Sequence, residues 1–134
     1  MFLLDTVVLS ELRKKDRNPG LVQWIGDKND NEIFVSVVTI GEIERGICQQ
    51  RARDSAFAQK LTDWLAQLML VYAERILPVT IPIARRWGQL SADLGRADAD
   101  ILIAASAIEH GLTVVTRNEK HFAPTGVIVL NPWQ

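Results

Sequence analysis

"ADADILIAASAIEHGLTVVT", residues 97–116, carries a helix, its stop and a strand in one short run. Between Ile101 and Ile108 the only polar residue is Ser106. A helix over Asp98–His110 must therefore be buried on most of its faces. Gly111 ends it, and Leu112–Thr116 follows as a β-branched strand. Working outward, the same alternation repeats. "FLL" (2–4) reads as a short buried strand followed by a helix over Thr6–Lys15, and Leu21–Gly26 as a second short helix after the break Asn18–Pro19–Gly20. Polar Asp27–Glu32 leads into the strand "IFVSV" (33–37) and a helix over Thr39–Gln50. Phe57, Leu61, Trp64, Leu65 and Leu68 mark one face of a longer helix over Asp54–Leu70, which can pair with its predecessor as a hairpin. "RILPV" (75–79), a helix over Ile81–Leu94 and the final strand "VIVL" (127–130) complete the series. Strands alternating with helices define an α/β fold on a parallel central sheet, in which functional residues gather beyond the carboxyl ends of the strands.

The chain has 134 residues, 48% of them apolar, and a formal net charge of −1. That length predicts one domain over 1–134, able to bury roughly two-thirds of the surface its unfolded chain exposes. No apolar run approaches the ~18 residues of a membrane span, and the first residues lack the basic start of a signal peptide. A single cysteine, Cys48, suits a reducing compartment, and the chain is read as cytoplasmic. The near-neutral charge gives no global footprint for nucleic acid, although basic residues cluster at 13–15, 51–53 and 85–86.

The acids carry the chemistry. Asp5 directly follows the first strand, where a carboxylate either caps the next helix or serves a site. Glu42 lies shortly after the second strand. It has capping-box spacing to Thr39, but Gly41 and Gly46 strip its helix face of bulk, as an approaching ligand requires. Asp98 and Asp100 point about 200° apart on a helix, so they cannot share a task. Asp98 is expected to be the cap and Asp100 the site residue, with Ala104 and Ala107 beneath it. No phosphate loop, zinc spacing (His110, His121 and Cys48 are too few and too scattered) or serine triad is present. A carboxylate-only set selects Mg²⁺ or Mn²⁺.

Four stretches in order carry a resemblance: "LDTVVLSEL", "VSVVTIGEIERG", "ADADILIAASAIEHGLTVVTRNEKHF" and "VIVLNPW". Together they resemble the PIN-domain ribonucleases, specifically the toxins of VapBC and FitAB-type toxin–antitoxin pairs. The resemblance implies a PIN fold with a protruding helical hairpin and Mg²⁺- or Mn²⁺-dependent endonuclease action on RNA. It also implies a cognate antitoxin partner and a homodimer. Asp5, Glu42 and Asp100 match the family's catalytic acids, with Asp5 and Asp100 as metal ligands; Thr6 and Thr116 match hydroxyl positions beside them. Asp98 and Asn118 are auxiliary candidates. The chain departs from the pattern at Val7, where asparagine is common, and at Asn118 and His121, in a segment where relatives carry an acid.

Three other readings compete. An Asp98-x-Asp100 metal pair belongs on a strand end, and here it opens an apolar helix. A phospho-receiver would need a lysine after the last strand, and "VIVLNPWQ" has none. A catalytically inactive PIN-like binding module keeps the fold but has no use for a metal at Asp5.

Overall fold

The computed structural model describes all of residues 1–134. Five strands, β1 (Phe2–Leu4), β2 (Ile33–Ser36), β3 (Ile76–Leu77), β4 (Thr113–Val115) and β5 (Val129–Leu130), form one sheet. Its order is β3-β2-β1-β4-β5 and every pairing is parallel. Seven α-helices connect and cover it: α1 (Thr6–Arg13), α2 (Pro19–Gly26), α3 (Val37–Arg51), α4 (Ser55–Tyr72), α5 (Ile81–Leu94), α6 (Ala99–His110) and α7 (Glu119–Phe122). This is the α/β architecture the alternation predicts, and α3 and α4 pack as the expected helical hairpin.

The three central strands β2, β1 and β4 bury side chains on both faces, because successive side chains point to opposite sides. Leu4, Val35 and Val115 meet Val8 and Leu9 of α1, Ile43 and Ile47 of α3, and Leu65 and Leu68 of α4. On the other face, Leu3 and Val114 pack on Ile103, Ala104 and Ala107 of α6 and on Phe122 of α7. Each large apolar side chain moved from water into these layers contributes about 1.5–3 kcal/mol. The alanines of α6 present little bulk, which lets this helix lie close against the sheet. Gly111, at φ 66°, then supplies the left-handed residue that turns the chain from α6 into β4.

Several boundaries differ from the sequence expectation. β3 stops at Leu77 because Pro78 has no N–H to continue the ladder. Helix α2 begins at Pro19 rather than Leu21: Asn18 Oδ1 accepts from Gly20 N and Leu21 N, and Pro19 fits the first turn. Helix α3 begins at Val37 rather than Thr39, with the Ser36 hydroxyl accepting from Val38 N at 3.0 Å. The Thr39–Glu42 capping box therefore does not form. The cap is already supplied by Ser36, and Thr39 lies buried inside the helix.

The carboxyl-terminal residues are clasped onto α2. Asn18 Nδ2 donates to Gln134 O, and Asn18 Oδ1 also accepts from Gln134 N. A Cβ at Gly20 would lie 2.5 Å from Gln134 Cγ and 2.6 Å from Pro132 O. Gly→Ala inside a helix ordinarily stabilises by about 1 kcal/mol. Gly20→Ala is expected to do the opposite, destabilising by at least about 1 kcal/mol because the backbone at Pro132 must move. Thermal denaturation together with amide exchange at Trp133 measures it; a stabilised variant would show that the clasp is not tight.

Candidate active site

The sheet order places a topological switch between β1 and β4, since the chain runs outward one way through β2 and β3 and the other way through β5. Crevices at such switch points, beyond the carboxyl ends of the strands, are where open α/β sheets bind ligands. The residues that follow these two strands are Asp5 and Thr116. Their backbones are held by the ladder, with Asp5 N donating to Val115 O at 3.0 Å and Thr116 N to Leu130 O at 3.0 Å.

Asp5 takes the capping role that its position allows, and its second oxygen is held from the neighbouring strand's end. Its Oδ1 caps α1 by accepting from Thr6 N at 2.8 Å, and its Oδ2 accepts from the buried Thr116 hydroxyl at 2.8 Å. The side chain is almost entirely out of solvent, at 3% exposure. Burial pushes its carboxyl up from 3.8 to about 6; repulsion from Asp100 and Glu42 adds to this, against the hydrogen bonds from Thr116 and Thr6. Asp100 and Glu42 are thus both close enough to act on Asp5.

Glu42 is brought in from α3. The Thr6 hydroxyl lies 2.5 Å from Glu42 Oε1 and 3.1 Å from Thr39 Oγ1. A hydroxyl has one proton to donate, and the carboxylate is the stronger acceptor. Thr6 therefore links the start of α1 to Glu42, and its backbone N–H holds Asp5. Asp98 and Asp100 separate as the helical geometry requires. Asp98 caps α6 by accepting from Ile101 N, and its two oxygens take a forked pair from Arg96 at 2.8 and 3.0 Å. That hydrogen-bonded guanidinium holds the Asp98 carboxyl below the usual range. Asp98 is occupied with Arg96, whereas Asp100 is the acid that acts on Asp5.

His121 and Arg96 surround Asp100. His121 Nδ1 lies 2.9 Å from Asp100 Oδ2, and because a carboxylate only accepts, this contact puts the proton on Nδ1. Arg96 donates to His121 O at 2.8 Å and its other nitrogen lies 4.0 Å from Asp100. The part of Arg96 was not read from the sequence: it precedes the cap of α6 and lies outside the helix, so no helical spacing marks it. Asn118 is half-buried just before α7. Its N–H donates to Thr116 Oγ1 at 2.9 Å, while its side chain caps nothing. Glu119 points elsewhere, accepting from Asn131 Nδ2.

The donor set bears on a metal. No three His, Cys, Asp or Glu side chains close into a ready-made cage. The side chains at the switch point offer hard oxygens, and Mg²⁺ is commonly held by one or two carboxylates with water and substrate phosphate completing its shell. A buried carboxyl raised to about 6 by burial and like charge is also relieved by a nearby cation. The residues fit such an ion.

An α/β domain with carboxylates beside its switch point has the framework in which open α/β sheets bind ligands. Comparison with known proteins assigns the family. The PIN domain family model matches residues 2–126, and the chain belongs to the PIN-domain family. It is 30% identical to VapC ribonuclease Y4jK of Sinorhizobium fredii, over 100% of this chain and 99% of that protein. It is 34% identical to Toxin FitB of Neisseria gonorrhoeae, over 99% of each. The crystal structure of FitAcB from Neisseria gonorrhoeae superposes with a TM-score of 0.87 at 32% identity, covering 100% of this chain and 99% of that one.

Proposed function

We propose that this protein is a Mg²⁺- or Mn²⁺-dependent endoribonuclease and the toxin of a toxin–antitoxin pair, hydrolysing RNA phosphodiester bonds at Asp5, Glu42 and Asp100. The observation that carries the reading is a nearly dry Asp5 at the sheet's switch point, its carboxyl raised to about 6 with Asp100 and Glu42 repelling it. Strained titration of this kind is typical of functional sites. The ribonuclease and toxin names of the full-length relatives support the same reading.

Asp5 and Asp100 would hold the ion. The chemistry it supplies is neutralisation of the approaching phosphate, activation of water as the nucleophile and stabilisation of phosphoryl charge. The protein's own contribution is orientation. Thr116 and Thr6 N–H fix the two Asp5 oxygens, Thr6 fixes Glu42, and His121 fixes Asp100, so each acid keeps free lone pairs in a set direction. Asp98 stands behind Asp100 as the cap of α6.

An antitoxin partner follows from the toxin reading. A homodimer is the expected assembly, with exposed Met69, Leu70 and Val71 of α4 as apolar surface left over by the fold. Trp64, on the same helix, is half-buried against the core, and Phe57 is half-buried as well. The cytoplasm suits exposed, unpaired Cys48. No helix is long and apolar enough to cross a membrane.

The test is cleavage of single-stranded RNA with Mg²⁺ or Mn²⁺, with EDTA and Asp5→Asn as controls. Full activity in EDTA would remove the metal. No Mn²⁺ binding by calorimetry would favour the inactive binding module instead. One ion held at Asp5 and Asp100 is expected, with any second ion weak, because Asn118 and His121 bring no carboxylate. Asn118→Asp should therefore tighten Mn²⁺ binding by roughly 10-fold. Unchanged affinity and stoichiometry would place Asn118 outside the metal's surroundings.

A further inference from the structure

A groove of about 220 Å³ opens beside the carboxylates and shares Thr6 and Glu42 with them. Its walls come from three helices: Ser10 and Arg13 of α1, Gln50 of α3, and Phe57 and Trp64 of α4. The Arg13 guanidinium lies 5.3 Å from the Phe57 ring centroid and 6.0 Å from that of Trp64. In the middle of the α3 wall stands Gly46, where an added Cβ would meet nothing within 4 Å.

These features specify an occupant. Arg13 and Glu42 balance in charge, so the groove is not built for a phosphate, which would call for net positive charge. Aromatic rings and a planar guanidinium offer stacking surfaces, while Gln50 and Ser10 present donors and acceptors at the rim. The volume is below the roughly 300–1,000 Å³ of drug-sized pockets and suits a single flat ring system. A neutral planar group with apolar faces and a hydrogen-bonding edge is a nucleobase, and proteins read single-stranded RNA by stacking such bases on aromatic and arginine planes.

We propose that this groove takes the unstacked base of a nucleotide flanking the cut phosphate, with Phe57, Trp64 and Arg13 as its stacking surfaces and Gln50 reading its edge. The assignment rests on the RNA reading above; continuity through Thr6 and Glu42 is what places the base next to the reacting phosphate. The groove then sets the base preference of cleavage.

Gly46→Leu tests it, because a Cβ there meets nothing within 4 Å, the longer side chain enters the groove, and leucine raises helix propensity. Two measurements separate the groove from the nuclease reading. In the Asp5→Asn background, binding of a labelled single-stranded RNA of random sequence is expected to weaken about 10-fold when Gly46→Leu is added, a loss of the size of one base stack. In the otherwise native protein, mapping of cut ends should show a changed preference at one flanking position, and Gln50→Ala should shift that preference with unaltered Mn²⁺ affinity. Weakened binding without any cleavage by the native protein would sink the nuclease reading and keep the groove. Unchanged RNA binding in Gly46→Leu overturns the proposal, including the case where the variant loses only a protein partner.

Discussion

Asp5→Asn is expected to abolish RNA cleavage and, in metal-free protein, to raise the melting temperature. Asparagine keeps the shape of the side chain and can still accept from Thr6 N, so the cap of α1 survives. What disappears is a charge held at 3% exposure against two like charges. The folded carboxyl titrates near 6 against 3.8 in the unfolded chain. Its protonated form is therefore favoured in the fold, and stability falls as pH rises from about 4 to about 6, by an amount on the order of 3 kcal/mol. Part of that is offset in the variant, because the Thr116 hydroxyl loses its carboxylate acceptor. A net gain of about 1–2 kcal/mol at pH 8, or roughly 3–6 °C, is the expected outcome. Activity should drop below about a thousandth of the native level, roughly 4 kcal/mol in barrier terms. Thermal melts at pH 4 and pH 8, with and without Mn²⁺, read the first effect. A variant less stable than the native protein at pH 8 would show that Asp5 is a structural acid and nothing more. Loss of activity with gain of stability is the signature of a residue retained for chemistry.

The second large effect is expected at Phe122, which is fully buried at the end of α7 beneath Leu3 and Val114. Phe122→Ala removes a large side chain from a packed layer and leaves a cavity, at a cost of about 3–5 kcal/mol. Its consequence reaches the site. Phe122 anchors the short helix that carries His121, so amide exchange across residues 118–125 should accelerate and the His121–Asp100 contact should weaken. His121→Ala, by contrast, removes a 61% exposed side chain and should change stability by no more than about 0.5 kcal/mol. Urea denaturation distinguishes the two: a lower midpoint with unchanged slope is expected for Phe122→Ala. A cost under 1 kcal/mol would mean that α7 is not held by this side chain.

What the sequence by itself determined about this protein is local and periodic. The nearly all-apolar run of α6, stopped at Gly111 and followed by β4, already required a helix buried on most sides, and its place in the strand–helix alternation pointed to a layered α/β fold. The angular separation of Asp98 and Asp100 turned the two away from each other before any contact was known, and Asp98 is the cap, since helical geometry does not depend on what the helix packs against. Asp5 at the end of β1 was legible for the same reason. The tertiary structure alone decided what joins distant segments. Whether Thr39 and Glu42 form a capping box depended on which residue capped α3, and Ser36 had the position; Glu42 then became free to take the Thr6 hydroxyl from a helix far away in the chain. The raised carboxyl of Asp5 arises from burial and from charges on two other helices, and no spacing along the chain encodes either. The forked pair of Arg96 with Asp98, the contact of His121 with Asp100, and the groove between α1, α3 and α4 share that origin. Periodicity reports which way a side chain faces, whereas distance across a fold is set by the packing of elements that the local sequence does not specify.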